Sequence, residues 1–192
     1  AHDSAGKLTL ALTSTKGAGR WGEETLENVL KVAGLSEHAD FHRQQSAQTE
    51  TSRVRPDVVI NMPGGGCLVI DAKVSRDDFL AACEESDPAR RKQRLGAHAR
   101  RVKEHVTALS RKDYWKEVPA SIDFVVMFLP GENFYSAVLE LDRTIFDYAW
   151  DNRVMIATPS TLIALAKSVA FAWRQEKMKR HAEEAALLGR QL

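Results

Sequence analysis

The chain has 192 residues, 44% hydrophobic and 28% charged, and its 27 Lys+Arg against 26 Asp+Glu leave a net charge of +1. That length suits one well-cored domain and is too short for two ordinary ones. A near-neutral total excludes any assignment of partners from bulk charge, so the local distribution has to carry it. No apolar run reaches the length of a membrane span, and the opening AHDSAGKLTLALTST lacks the basic start and apolar core of a signal peptide. Cys67 and Cys83 form neither a CxxC pair nor a disulfide framework, which fits a reduced, cytoplasmic setting.

Residues 1–19 are small and polar and read as a flexible lead-in or a helix remnant, with one domain over 20–192. Residues 20–33 have helical periodicity, with Leu26, Val29, Leu30 and Ala33 on one face and Gly34 as the stop. A strand is expected within 38–45, and 49–52 (TETS) reads as a loop. VRPDVVINM, PGGG and CLVIDAKV form two strand-like runs about a glycine turn, a hairpin signal. Helices follow at 76–85 and 88–112, the second with a stripe of Leu95, Val102, Val106 and Leu109. The run at 122–130 (IDFVVMFLP) is continuous enough for a buried strand. Beyond it a helix is expected over 133–151, a strand over 153–159 and a long helix over 160–188. The succession predicts an α/β fold, with a central mixed sheet flanked by helices.

The hairpin carries the chemistry. A three-residue loop of Pro63, Gly64 and Gly65 sets Met62 opposite Gly66. Asp57 then faces Asp71, Val59 faces Val69, Asn61 faces Cys67 and Arg55 faces Lys73, all on one side of the ribbon. Pro56, Val58, Ile60 and Met62, opposite Leu68, Ile70, Ala72 and Val74, make the other side wholly apolar and assign it to the core. Opposed Cβ atoms lie roughly 4.5–5.5 Å apart, so the two carboxylates repel unless a cation joins them. Mg²⁺ (or Mn²⁺) suits such a pair, because it takes one or two carboxylates plus waters and a phosphate. Lys73 can hold or activate the attacking water. The plain alternative is a hairpin edge with an incidental Asp–Lys pair.

Pro56-Asp57 followed by Asp71-Ala72-Lys73 resembles the PD-(D/E)xK phosphodiesterase superfamily. There the two acids bind metal and the lysine assists the nucleophilic water. More widely, GRWGEETLENVLKVAGL, RPDVVINMPGGGCLVIDAKVS, FVVMFLPGENFY and ATPSTLIALAKSVAFAW, in that order, are similar to the RmuC family of bacterial DNA recombination proteins. The resemblance covers roughly residues 17 to 190. It implies a restriction-endonuclease-like core and a part in limiting DNA rearrangement by cutting DNA. Such proteins usually carry a membrane anchor and a coiled coil before this region. Neither is present here, so the chain reads as an excised domain, and any homo-oligomer would form through flanking regions.

A first-helix acid often joins the metal site in that superfamily. At about 100° per residue, Glu23 falls about 60° from Leu26, at the edge of the apolar arc, whereas Glu24 lies about 160° away. Glu23 is therefore the candidate for a third metal ligand; its other role would be a carboxylate stabilised near a helix N-terminus. Between Arg90 and Lys112 stand nine Lys/Arg residues against the single acid Glu104. Arg90, Arg91, Arg94, Arg100, Arg101 and Lys103, with Arg55, are the candidate contacts to the DNA backbone. A merely solvated helix face is the alternative. His98 and His105 share a helix face and read as structural, with DNA contact or proton transfer as the other options and no zinc-ligand spacing around them. Tyr114 and Trp115 read as core caps before base-stacking platforms, and Trp21 as packing. The function expected is a metal-dependent deoxyribonuclease; the alternative is a non-catalytic DNA-binding or assembly module on the same scaffold.

Overall fold

The computed structural model describes residues 20–35, 41–43, 56–72, 77–112 and 121–189. In chain order these form α1 (Arg20–Val32), β1 (Phe41–Arg43), β2 (Val58–Asn61), β3 (Cys67–Asp71), α2 (Asp77–Glu84), α3 (Pro88–Ser110), β4 (Ser121–Phe128), α4 (Glu132–Leu141), α5 (Ile145–Asp151), β5 (Val154–Ala157) and α6 (Pro159–Gly189). The five strands make one sheet in the order β1-β2-β3-β4-β5. β1, β2 and β3 pair antiparallel; β3, β4 and β5 pair parallel. The mixed sheet flanked by helices is the expected class. The lead-in 1–19, the loop 49–52, and Tyr114 and Trp115 lie outside the described residues.

The hairpin has the register read from its turn. Val58 pairs with Ile70, Val59 with Val69, Ile60 with Leu68 and Asn61 with Cys67. Met62 N–H donates to the Gly66 carbonyl at 2.7 Å, which closes the three-residue loop. Gly64 and Gly65 take φ of +86° and +88°, a region that side chains with a Cβ rarely enter.

Each face of the sheet has its own core. On one side Val58, Ile60, Leu68, Ile70, Val126 and Phe128 pack against Leu26 and Leu30 of α1 and Leu162, Ala166 and Val169 of α6. On the other, Val69, Val125, Met127, Val154 and Ile156 meet Val102, Val106 and Leu109 of α3, Val138 of α4, and Ile145 and Ala149 of α5. All five residues of β3 are buried, as a strand covered on both faces requires. Trp173 of α6 donates its indole N–H to the Asn61 carbonyl at 2.9 Å, which ties the long helix to the hairpin.

Helix ends follow local chemistry. Asp87 caps α3, accepting from the N–H groups of Ala89 and Arg90 at 2.9 Å each, ahead of Pro88. The helix expected over 133–151 is two helices instead. Asp142 leaves helical geometry and accepts from the Thr144 N–H at 3.0 Å and its hydroxyl at 2.6 Å, a side-chain turn that outcompetes helix continuation. Glu132, in the first turn of α4, accepts the Ser160 N–H of α6 at 2.9 Å. Burial raises the Glu132 pKa, but the hydrogen bonds from Ser160 and Thr158 outweigh it and hold the carboxyl below its usual range.

His98 of α3 is 1% exposed and sits in an aromatic cluster with Phe79 and Phe134. Its Nε2–H donates to the Phe134 carbonyl at 3.2 Å, and its Nδ1 is buried with no hydrogen-bond partner among the described residues. Burial lowers its pKa, against the opposing pull of that carbonyl and of Asp78. The unfolded chain therefore binds the proton more readily, and stability falls as pH drops below the unfolded value of about 6.5. Urea unfolding of His98→Gln should show a shallower loss between pH 7.5 and 5.5 than the parent chain; an equal slope would remove His98 as the cause.

Candidate functional site

The site forms where β3 leaves the sheet. Asp71 shares a face with Val69, which places its side chain under α3. The carboxylate is fully buried, with 0% exposure. Its Oδ1 accepts from Nε2 of His105 at 3.2 Å, and its Oδ2 from Nζ of Lys112 at 3.2 Å. The two donors are seven residues apart, two turns along the same side of α3 and its end. A charge-assisted bond to each oxygen is what a desolvated carboxylate needs to remain ionised.

Asp57 arrives from the neighbouring strand. The ladder ends at Val58 and Ile70, and Asp57 follows with its N–H on the Ile70 carbonyl at 3.1 Å. Its Oδ2 accepts the N–H of Ala72 at 2.8 Å, so the carboxylate stands where a backbone carbonyl would continue the ladder. The expectation that Asp57 directly faces Asp71 therefore needs refining. The register holds up to Val58, and Asp57 is turned onto the residue after Asp71. Its carboxylate is anchored there by that hydrogen bond.

Glu23 lies on α1, but its side chain is outside the described residues, as are Arg55 and Lys73 altogether. His105 and Lys112 are the additions. Helix periodicity put His98 and His105 on one face, and His105 proves to be the one at the carboxylate. Lys112 looked like one more member of a basic run. Nothing local links either to Asp71, from which they are separated by 34 and 41 residues.

The carboxylate pair has the donor chemistry for Mg²⁺ or Mn²⁺: hard oxygen ligands, one of them buried and held in place. Among the described residues no group of three or more His, Cys, Asp or Glu side chains gathers as a metal cage. Two carboxylates completed by water and a substrate phosphate suit magnesium, and such a set does not suit a closed zinc site.

The basic helix divides in two. Arg101 pairs with Asp78 at 2.5 Å, Arg94 with Glu85 at 3.7 Å, and Lys103 with Asp142 at 2.9 Å, with its ammonium 4.8 Å from the centre of the Tyr148 ring. Those cations join α3 to its neighbours. Arg90, Arg91, Lys92 and Arg100 are exposed and form no ion pair among the described residues.

Asp71 at the end of the central strand and Asp57 on the neighbouring strand stand in an α/β fold whose helix α3 is rich in Arg and Lys. The RmuC family profile matches residues 1–192, and the chain belongs to the RmuC family. It is 44% identical to the DNA recombination protein RmuC homolog of Zymomonas mobilis subsp. mobilis, over 99% of this chain and 43% of that protein. Identity to the homolog of Pseudomonas aeruginosa is 37%, over 96% of this chain and 41% of the relative. Identity to DNA recombination protein RmuC of Salmonella typhimurium is 34%, over 93% and 38%. The chain thus spans about two-fifths of the length of these relatives. No solved structure matches it. Among the described residues no helix is long and apolar enough to cross a membrane.

Asp57 serves the fold as well as the site. Asp57→Ala should cost roughly 1–2 kcal/mol in metal-free urea unfolding, because the Ala72 N–H loses its acceptor. Asp57→Asn, whose amide oxygen accepts the same bond, should retain most of the stability. Equal losses in both variants would contradict this role.

Proposed function

We propose that this chain is the catalytic domain of a DNA recombination protein and hydrolyses DNA phosphodiester bonds with Mg²⁺ or Mn²⁺. The observation that carries this is the pair Asp57 and Asp71, one anchored on a backbone N–H and the other buried at the strand end. The PD-(D/E)xK pattern and a restriction-endonuclease-like core belong to the same proposal. Asp57 and Asp71 would hold the ion, with Glu23 joining directly or through water. When bound, the ion supplies Lewis-acid polarisation of the phosphate and a water of lowered pKa. Lys73 holds the attacking water and stabilises its deprotonated form. His105 keeps the Asp71 carboxylate oriented through its Oδ1. Arg90, Arg91, Lys92 and Arg100 contact the phosphate backbone, with Arg55 a further contact and Arg94, Arg101 and Lys103 exchanging their exposed ion pairs for phosphate. DNA is the partner, the cytoplasm the setting, and self-association a property of flanking regions.

The test is cleavage of single-stranded, duplex and branched DNA with each metal. Asp57→Asn, Asp71→Asn and Lys73→Ala should each lower the rate by roughly 100-fold or more; undiminished cutting by all three would reject the assignment.

A non-catalytic DNA-binding or assembly module is the second reading. It is favoured by one feature: both oxygens of Asp71 already carry donors from α3 and its end. Salt-dependent binding without metal-dependent cleavage would select it.

Under either reading the exposed cations of α3 should matter most for binding. Changing Arg90, Arg91, Lys92 and Arg100 together to Gln should weaken duplex binding and make log K less steeply dependent on log salt. The slope should fall by roughly 0.9 for each phosphate that is no longer neutralised. Arg94→Gln with Arg101→Gln should have a smaller effect. Unchanged affinity in the fourfold variant would assign those cations to solvation alone.

A further inference from the structure

Asp71 places its carboxylate at a position with 0% exposure, and the Lys112 ammonium lies 3.2 Å from its Oδ2. The two partners are unequally placed. The Lys112 side chain is 34% exposed, while Asp71 is sealed from solvent. Lys112 follows the C-terminal end of α3, which closes at Ser110, so its long side chain enters the site from the rim. His105 sits deeper, its side chain 20% exposed, on the other oxygen.

We propose that Lys112 is a displaceable counter-cation, which holds the charge of Asp71 in the metal-free chain and gives up Oδ2 when a divalent ion binds. This rests on the reading of Asp57 and Asp71 as a metal pair. The physical basis is competition. Lys112 and a divalent ion need the same carboxylate oxygen, and two positive groups on one oxygen repel. Removing a cationic partner from a buried carboxylate without replacing it is strongly disfavoured. A partly exposed lysine can swing its ammonium back into water at small cost, which a buried one could not do. Lys112 therefore stabilises the metal-free fold and weakens metal affinity through the same ion pair. Once released at the rim of the site, its ammonium is free to meet a phosphate oxygen of bound substrate. His105 keeps Oδ1 throughout, so the carboxylate does not turn as its second partner changes.

The experiment compares Lys112→Met with the parent chain by thermal melting in EDTA and in saturating Mn²⁺, and by calorimetric titration with Mn²⁺ alone. In EDTA, K112M should melt lower by about 5 °C. In saturating Mn²⁺ that gap should close, and Mn²⁺ should bind K112M roughly tenfold more tightly. Should K112M fail to fold in EDTA, recovery on adding Mn²⁺ supports the proposal. The neutral pair Asp71→Asn with Lys112→Met should fold in EDTA and bind no Mn²⁺. If that pair also fails to fold, Lys112 is a packing residue and the proposal falls. Melting of K112M at the parent temperature in EDTA, or equal Mn²⁺ affinity in K112M and parent, overturns the proposal while leaving the metal site standing. Absence of Mn²⁺ binding to both proteins overturns the metal reading, and this one with it.

Discussion

Asp71 brings a carboxylate to the end of the central strand, at a point sealed from solvent. An unpaired charge there would cost several kcal/mol, more than a single core side chain returns. α3 lies across the strand and places His105 on one oxygen and, just past its end, Lys112 on the other. The position of α3 is fixed in turn by Val102, Val106 and Leu109, which pack on Val69, Val125 and Met127. Apolar packing and charge compensation thus come from one stretch of chain, and a shift of α3 along the sheet would forfeit both together.

The same stretch accounts for how the site meets its surroundings. The opposite face of the hairpin is covered by α1 and α6, and Asp71 lies on the α3 side, at the end of its strand. In α/β sheets the ends of parallel strands are the usual place for a ligand, because loops and helix starts converge there. Here β3 and β4 run parallel, and Asp71 lies level with Met127. The exposed cations of α3 stand earlier on the helix that supplies His105, so one element carries both the exposed basic surface and a partner of Asp71.

Much of this was legible in sequence. The hairpin register followed from the turn, because a single three-residue loop made one face wholly apolar, and a slip by one residue would have exposed it. Gly34 marked the end of α1, where it adopts φ of +93°. The break at Asp142 was missed because the apolar spacing runs on through it; the competing side-chain turn is a local polar effect that periodicity does not register. Strand alternation singled out Asp57 and Asp71 as candidates. It did not show the turning of Asp57 onto the Ala72 N–H, since that depends on where the ladder stops. His105 and Lys112 were hidden for another reason. Basic residues on a helix look alike in sequence, and only tertiary packing decides whether one meets a buried acid, a neighbouring helix or water.

The chain belongs to the RmuC family, and the relatives it matches, named as DNA recombination proteins, are more than twice its length. What the domain itself contributes turns on whether the two carboxylates share a divalent ion. A crystal of the chain soaked in Mn²⁺ and measured at the manganese edge tests that most directly. The account predicts one anomalous peak about 2.1–2.2 Å from a carboxylate oxygen of both Asp57 and Asp71, with Lys112 withdrawn from Oδ2. A map without that peak, with Lys112 still paired to Asp71, would contradict it.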